Sequence, residues 1–271
     1  MIEYAYFERR NRFMDYNQIE DIQTEDTPFS VPDKKSLYIS FCDGKRIFRK
    51  SFSFRELLGE EIATFMGRDT IHYFLLFKEN VFYLASFPFI EQKECYPDDF
   101  KELYLPNRQD FENDNEYGQN YIPFFLKQSK DQKMREKFLK ELYQSFAIDT
   151  YMRQTDRCSC NTMLYQEKDN LFWTPMYDYG CSFGNFDSEE EVLKNFFYQN
   201  PFFSMKLQDY SEFLTLYPAF SIYLKQIQRL DLMKSIQNIK DKYCFSYSNR
   251  FLDYWKSQEE MSQKVIQKIM I

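Results

Sequence analysis

The sequence reads QTDRCSCN at residues 154–161 and TPMYDYG at residues 174–180, and these two stretches decide the fold. The first stretch follows a run of helical periodicity, and Asn161 comes five positions after Asp156. Two strand-like runs joined by a polar turn lie between the stretches and predict a hairpin. Because a hairpin brings its two ends together, Asn161 at its start and Asp178 beyond its end are expected to converge.

A helix, an Asp, an Asn, a hairpin and a second Asp form an arrangement that suits phosphoryl transfer. One carboxylate, here Asp156, would orient the acceptor hydroxyl, while Asn161 and Asp178 would hold Mg²⁺ against nucleotide phosphates. Asp and Asn are also frequent in loops because their side chains bond to nearby backbone. Each residue alone would therefore be an ordinary loop residue, and it is the spacing of all three that favours phosphoryl transfer.

Both stretches resemble the signature segments of the HipA-like kinases, bacterial serine/threonine kinases with a phosphoinositide-kinase-like fold. The catalytic loop of that family typically reads D-R-H-x-x-N, and its metal-binding segment reads P-x-x-D followed by small residues. The matching segments here are 156–161 and 175–180. Cys158 is a departure, since it stands where the family usually has His. That position is neither a metal ligand nor the acceptor-contacting carboxylate in the family pattern.

The resemblance implies roles for three residues. Asp156 corresponds to the catalytic carboxylate, and Asn161 and Asp178 correspond to the Mg²⁺ ligands. ATP and Mg²⁺ are the implied cofactors, and the implied acceptor is a Ser or Thr hydroxyl on a protein substrate or on the chain itself. Some relatives are toxins neutralised by an antitoxin, so an antitoxin or another regulatory protein is an implied partner.

The resemblance also implies an α+β, two-lobed fold of the protein-kinase and phosphoinositide-kinase type. A small β-rich N-terminal lobe is expected over residues 1–94, and a larger, mainly helical C-terminal lobe over 121–271. The polar, acidic stretch 95–120 between them is expected to be a connecting loop.

The N-terminal lobe supplies candidates for the Lys that binds the nucleotide and the helix Glu that pairs with it. A strand-like run ends at Arg49 and Lys50, and adjacent residues point to opposite faces of a strand, so only one can serve. We predict Lys50, with Arg49 as the alternative. On the following helix Glu60 matches an E-x-x-A pattern of the family, and Glu61 remains the alternative because it lies four residues after Leu57.

Hydrophobic patterning and turn residues give the order of the other elements. The expected elements are a hairpin of 37–41 and 46–48, a helix over 54–66 stopped by Gly67, strands at 71–77 and 81–87, a long helix ending near Arg153, strands at 162–165 and 171–174, and helices throughout the chain beyond Ser188. By the order of elements in the family, the second strand of the 71–87 pair leads to an adenine-contacting hinge near Ala85–Phe89.

The composition is unusual because aromatic residues make up 20% of the 271 residues while glycine occurs only 6 times. Such a chain is not disordered, since disordered chains are poor in aromatic residues. The glycines form no cluster, which excludes a Walker-type loop and a G-x-G-x-x-G lid. If ATP binds, its phosphates must be held chiefly by Lys50, by metal ligands and by backbone N–H groups of other residues.

Charge, cysteine and histidine content exclude several other classes. The net charge of −7 disfavours non-specific nucleic-acid binding, and no apolar run is long enough for a membrane span. The single His, His72, rules against a Cys/His zinc site or a Ser-His-Asp triad and is expected to be structural. The first residues lack the pattern of a signal peptide, so we expect a cytoplasmic protein with reduced cysteines.

Two other interpretations remain open at the level of sequence. One is a pseudokinase or nucleotide-binding interaction module, which Cys158 and the glycine-poor N-terminal region favour. The other is a kinase-fold enzyme that transfers a nucleotidyl group or phosphorylates a small molecule.

Overall fold

The computed structural model describes most of the chain in segments. The described residues are 19–21, 37–42, 45–78, 81–87, 126, 129–157, 164–167, 170–184, 191–192, 197–199, 204–206 and 210–270. The expected connecting loop at 95–120 and the predicted metal ligand Asn161 lie outside these residues.

A five-stranded antiparallel sheet occupies the N-terminal part of the described chain. Its strands are β1 (Ile19–Asp21), β2 (Leu37–Cys42), β3 (Lys45–Ser51), β4 (Phe74–Lys78) and β5 (Val81–Ser86), in the spatial order β1-β2-β3-β5-β4. The predicted hairpin on either side of Asp43-Gly44 is confirmed, with Leu37 opposite Lys50 and Cys42 opposite Lys45. Strand β5 lies between β3 and β4, and Lys50 is opposite Leu84 on β5.

Helix α1 (Phe54–Met66) follows β3 after a two-residue connection and has the predicted length. It ends at Gly67, which adopts the left-handed conformation with φ of 68° that glycine tolerates best. The Gly67 N–H bonds to the Thr64 carbonyl, and the Arg68 N–H bonds to the Ala63 carbonyl. The buried face of α1 carries both apolar residues and two carboxylates, namely Glu56, Leu57, Leu58, Gly59, Glu60, Ile62, Ala63 and Met66.

Helix α2 (Gln132–Met152) is the long helix that the apolar stripe predicts. It begins at Asp131, whose side chain accepts a hydrogen bond from the Lys133 N–H, and it ends at Arg153, a left-handed residue with φ of 50°. A hairpin of β6 (Leu164–Glu167) and β7 (Asn170–Trp173) follows the loop that contains Asp156. The hairpin prediction is confirmed, and it places the second signature stretch directly after β7.

The C-terminal part is helical from residue 210 onward. Its helices are α3 (Tyr210–Leu216), α4 (Phe220–Ile227), α5 (Leu232–Tyr243) and α6 (Asn249–Ile269). The prediction of helices throughout the chain beyond Ser188 is wrong for the described strands β8 (Phe197–Gln199) and β9 (Ser204–Lys206), which pair as a short antiparallel hairpin. Aromatic residues suit strands as well as helices, so the sequence of this stretch does not separate the two.

One hydrophobic core joins α1, the inner face of β4 and β5, and the C-terminal helices. Helix α1 packs on α2 and α5, and α2 packs on α4 and α6. Aromatic rings fill much of this core: Phe146 of α2 stacks on Phe213 at 4.9 Å and meets Phe220 edge-on at 4.3 Å between ring centroids. Within the described part of the chain, many of the aromatic residues therefore serve in core packing. Within the described residues, we find no helix that combines the length and apolarity needed to cross a membrane.

Candidate functional site

Lys50 and Asp178, 128 positions apart in sequence, meet at the end of strand β3. The Lys50 ammonium donates to Glu56 Oε1 at 2.5 Å and to Asp178 Oδ1 at 3.0 Å. The structure therefore brings the predicted nucleotide Lys to the predicted metal ligand Asp178. These contacts of Lys50 favour it over the alternative Arg49, whose side chain is not among those described.

The prediction that Glu60 pairs with Lys50 is wrong, because the carboxylate of helix α1 that contacts Lys50 belongs to Glu56. Glu60 is bound elsewhere: it accepts hydrogen bonds from the Tyr73 N–H at 3.1 Å and from Lys242 at 3.0 Å, and it lies 3.1 Å from His72 Nδ1. Glu61, the alternative, accepts a hydrogen bond from Asn238. The two glutamates Glu56 and Glu60 are one turn apart on the same face of α1, and it is Glu56, in the first turn, that contacts Lys50 near the end of β3.

Glu56 is completely buried and both of its oxygens are engaged. Oε1 accepts from Lys50, and Oε2 accepts from the Tyr73 hydroxyl at 3.0 Å. Burial alone would lower the pKa of the Lys50 ammonium, but the carboxylates of Glu56 and Asp178 outweigh that effect and raise the pKa. Lys50 is thus a fixed positive charge beside a half-exposed carboxylate, since 40% of the Asp178 side chain is exposed.

The segment that carries Asp178 is tied to the residues just after α1. The Met176 N–H donates to the Asp69 carbonyl at 2.8 Å, and the Ile71 N–H donates to the Met176 carbonyl at 2.9 Å. The Thr70 hydroxyl also donates to the Met176 carbonyl, and the Tyr179 hydroxyl lies 3.0 Å from Thr70 Oγ1. These bonds hold both sides of Asp178 in place.

Gly59 allows the same segment to approach helix α1 closely. A Cβ atom at Gly59 would lie 2.1 Å from Cγ of the Tyr179 ring, which is fully buried. A side chain of any size at this position would displace Tyr179 and with it the neighbouring Asp178. One of the six glycines is therefore required by the packing of the site.

Asp156 lies three residues after the end of α2, with an exposed side chain. The Cys181 thiol contacts its Oδ2 at 4.0 Å. Partial burial raises the pKa of the Asp156 carboxyl, and the nearby negative charge of Asp178 raises it further, against the opposing effect of Arg157. The two predicted carboxylates thus face the same region. The third predicted residue, Asn161, is not among those described.

Arg157 is buried under the site and paired with a carboxylate that sequence reasoning missed. Its guanidinium donates to both oxygens of Asp149 at 3.0 to 3.2 Å, and both side chains are almost fully buried. Nη1 donates to the Tyr177 carbonyl at 2.5 Å, and the guanidinium lies over the Tyr179 ring at 5.3 Å. Arg157 thus links α2 to the residues on both sides of Asp178.

The residues present suit a Mg²⁺ ion by ligand type. Carboxylate oxygens are the donors that Mg²⁺ prefers, and proteins commonly bind it with one or two carboxylates together with substrate phosphates. Asp178 offers a half-exposed carboxylate. Burial raises the pKa of the Asp156 carboxyl, and the negative charge of Asp178 raises it further by a repulsion that a cation would relieve. Asp178, with Asn161 as the predicted second ligand, would hold the ion.

Glu56, Tyr73 and Asp149 are the functional candidates that sequence reasoning missed. Glu56 carried one usable signal, since it lies six residues after Lys50 and one helical turn before Glu60. Tyr73 and Asp149 carried none, because each belongs to an ordinary strand-like or helical run and gains its role only through a contact distant in sequence.

Comparisons with known proteins give a likeness of fold. No protein-family model matches the chain, and no curated protein sequence matches it significantly. A crystal structure of the Helicobacter pylori proinflammatory kinase CtkA matches with a TM-score of 0.54 and 15% identity, covering 86% of this chain and 89% of that one. The Shewanella oneidensis toxin–antitoxin complex of HipA, HipB and operator DNA contains a chain that matches with a TM-score of 0.53 and 10% identity, covering 96% of this chain and 74% of that one. The protein is therefore a mixed α and β chain with a kinase-like fold.

Proposed function

We propose that the chain is an ATP-dependent phosphotransferase of the HipA-like serine/threonine kinase type. It transfers the γ-phosphoryl group of ATP to a protein hydroxyl, on a substrate or on itself. The observation that carries the proposal is the meeting of Lys50, Glu56 and Asp178 from three separate segments. A strand Lys held by a helix Glu, beside a loop Asp that can bind a metal, is the arrangement with which kinases hold ATP.

Each residue has a distinct role in this proposal. Lys50 binds the α- and β-phosphates as a permanent cation, and Glu56 fixes its position. Bound Mg²⁺ supplies neutralisation of phosphate charge, and Asp178 and Asn161 are its ligands. Asp156 orients the acceptor hydroxyl and takes its proton while the oxygen bonds to the γ-phosphorus and the bond to the ADP oxygen breaks.

The order of the elements along the chain, strands first and helices later, supports the two-lobed division that the sequence predicts. The sheet and α1 belong to the proposed N-terminal lobe 1–94, and α2 through α6 belong to the proposed C-terminal lobe 121–271. Strand β5 ends at Ser86 and leads to the proposed hinge near Ala85–Phe89.

We assign the protein to the cytoplasm, without direct binding to nucleic acid or membrane. A regulatory protein partner is part of the proposal, because the Shewanella structure holds HipA together with HipB.

Isotope transfer tests the proposal and separates it from its alternatives. The purified chain is incubated with Mg²⁺ and either γ-labelled or α-labelled ATP, alone and with a cell lysate as a source of protein acceptors. We expect label on protein from γ-labelled ATP only, and none when the Mg²⁺ is chelated. Label from α-labelled ATP would instead indicate nucleotidyl transfer. Nucleotide binding without any transfer would indicate a pseudokinase, and either result would overturn the proposal.

Glu56 and Glu60 form a matched pair that tests the corrected assignment. In Glu56→Gln the ion pair with Lys50 is lost, and truncating one partner of a buried charge pair costs about 2–5 kcal/mol. We expect kcat/KM for ATP to fall by about 10²-fold, which corresponds to roughly 2.7 kcal/mol. Initial rates over a range of ATP concentrations measure the change.

Glu60→Gln is the control, since Glu60 has the same residue type and lies buried on the same helix. It loses its ion pair with Lys242 but has no contact with Lys50, so we expect kcat/KM within about threefold of the original. Equal losses in the two variants would show that Glu56 acts only through the stability of α1.

A further inference from the structure

Gln154, the first residue of the first signature stretch, is a buried polar residue. It follows Arg153, the left-handed residue that ends α2, and it comes two positions before Asp156. The residue has no exposed surface. A buried amide without partners would be costly, so the hydrogen bonds of Gln154 explain its presence.

The side chain of Gln154 spans the turn that follows Asp178. Nε2 donates to the Asp178 carbonyl at 2.7 Å, and Oε1 accepts from the Ser182 hydroxyl at 3.3 Å. The backbone N–H of Gln154 bonds to the Asp149 carbonyl at 2.9 Å and so anchors it to α2. One amide therefore joins the end of α2 to both ends of the segment 178–182.

The bond to the Asp178 carbonyl falls at a strained position of the backbone. Asp178 has a positive φ of 59°, a conformation that side chains other than glycine adopt at a cost. Surrounding contacts must hold such a residue in place. Gln154 contacts the carbonyl of this residue directly, so it fixes the peptide plane from which the Asp178 carboxylate projects.

We propose that Gln154 is a positioning residue that fixes Asp178 relative to Asp156, and thereby places the metal relative to the acceptor hydroxyl. The inference rests on the proposed function, because it assigns the metal to Asp178. Only a primary amide serves both ends of the turn, since its N–H donates to a carbonyl while its oxygen accepts from a hydroxyl. Gln154→Met keeps the length and burial of the side chain and removes both bonds.

Gln144 of helix α2 provides a matched control. It is also buried, with 2% exposure, and its Nε2 donates to a backbone carbonyl, that of Met66 at 2.5 Å. That bond joins α2 to the far end of α1, about ten residues and 15 Å from Glu56 along the helix. Gln144→Met therefore removes a bond of the same chemistry without touching Asp178.

The experiment measures Mn²⁺ affinity by electron paramagnetic resonance, with a non-hydrolysable ATP analogue bound, together with melting temperature and the rate of γ-phosphoryl transfer. We expect Gln154→Met to weaken Mn²⁺ binding about tenfold and to raise the Mg²⁺ concentration for half-maximal transfer by a similar factor. Gln144→Met is expected to lower the melting temperature by about as much as Gln154→Met does. It should leave the Mn²⁺ affinity and the Mg²⁺ concentration for half-maximal transfer unchanged.

The outcomes separate the inference from the proposed function. Unchanged Mn²⁺ affinity in Gln154→Met, or equal weakening in the two variants, would overturn the inference. If the original chain binds Mn²⁺ and analogue but transfers no phosphate, the proposed function fails, and a weaker Mn²⁺ affinity in Gln154→Met still supports the positioning role. Absence of any metal and nucleotide binding by the original chain would overturn both.

Discussion

Asp178→Asn is expected to reduce γ-phosphoryl transfer by about 10³-fold, the scale of loss when a principal electrostatic group is removed from an active site. The neutral amide is a poor Mg²⁺ ligand compared with a carboxylate. The change also removes the charge that Lys50 contacts at 3.0 Å. Because 40% of the side chain is exposed, stability should change little, and initial rates can be compared on folded protein.

Asp69→Asn is the control for this loss. Asp69 is exposed and lies near the segment that carries Asp178. Its backbone carbonyl, not its side chain, accepts the hydrogen bond from the Met176 N–H. We expect full activity in that variant. An Asp178→Asn protein with an unchanged rate would refute the assignment of the metal to Asp178.

Lys50→Met removes the other partner of the ion pair between Lys50 and Asp178. It should raise KM for ATP as well as lower kcat.

Local elements were the part of the fold that the sequence predicted well. Helix α1 and its end at Gly67 follow from residues within one stretch of chain, because helical spacing and a left-handed glycine are local properties. The end of α2 at Arg153 and the β6–β7 hairpin were predicted for the same reason. The predicted convergence of Asn161 with Asp178 stays a prediction, because Asn161 lies outside the described residues.

Contacts that depend on the relative placement of elements were not predictable. Spacing places Glu56 and Glu60 on one face of α1 but does not say which turn of that helix reaches Lys50. The structure assigns Glu60 to Lys242 of α5, about 180 positions away, and the sequence carries no signal for that pairing. The buried amide of Gln154 is a similar case, because its role depends on the turn at Asp178.

Gly59 is one of the few glycines of the chain, and close packing explains why glycine stands at this position. Helix α1 could not lie against the Tyr179 ring with any side chain there, since even a Cβ would sit 2.1 Å from the ring. Gly59 therefore lets the backbone of α1 lie against the buried Tyr179 ring. Loops that bind phosphate through glycine are absent from the sequence. Phosphate binding in this chain is thus expected to depend on Lys50 and on metal ligands.

The buried pair of Asp149 and Arg157 gives the largest expected effect on stability. Removing Asp149 leaves the buried Arg157 guanidinium without its carboxylate, and breaking a buried ion pair in this way costs about 3–5 kcal/mol. Asp149→Ala is therefore expected to lower the free energy of unfolding by that amount, as measured by urea denaturation. The control is Asp241→Ala, which removes an exposed contact with Gln237 on α5 and should cost about 0.5 kcal/mol or less.

A double variant separates the contribution of this ion pair to stability from its effect on the site. Replacing both charges, as Asp149→Leu with Arg157→Met, removes the buried unpaired charge, and apolar replacements of buried ion pairs are often close to neutral in stability. We expect the double variant to recover most of the free energy lost in Asp149→Ala. Its rate of γ-phosphoryl transfer should fall below that of the original chain, because the bond from Arg157 to the Tyr177 carbonyl, next to Asp178, is gone. Recovery of stability and transfer together would mean that Arg157 supports the fold alone and does not position the segment that carries Asp178.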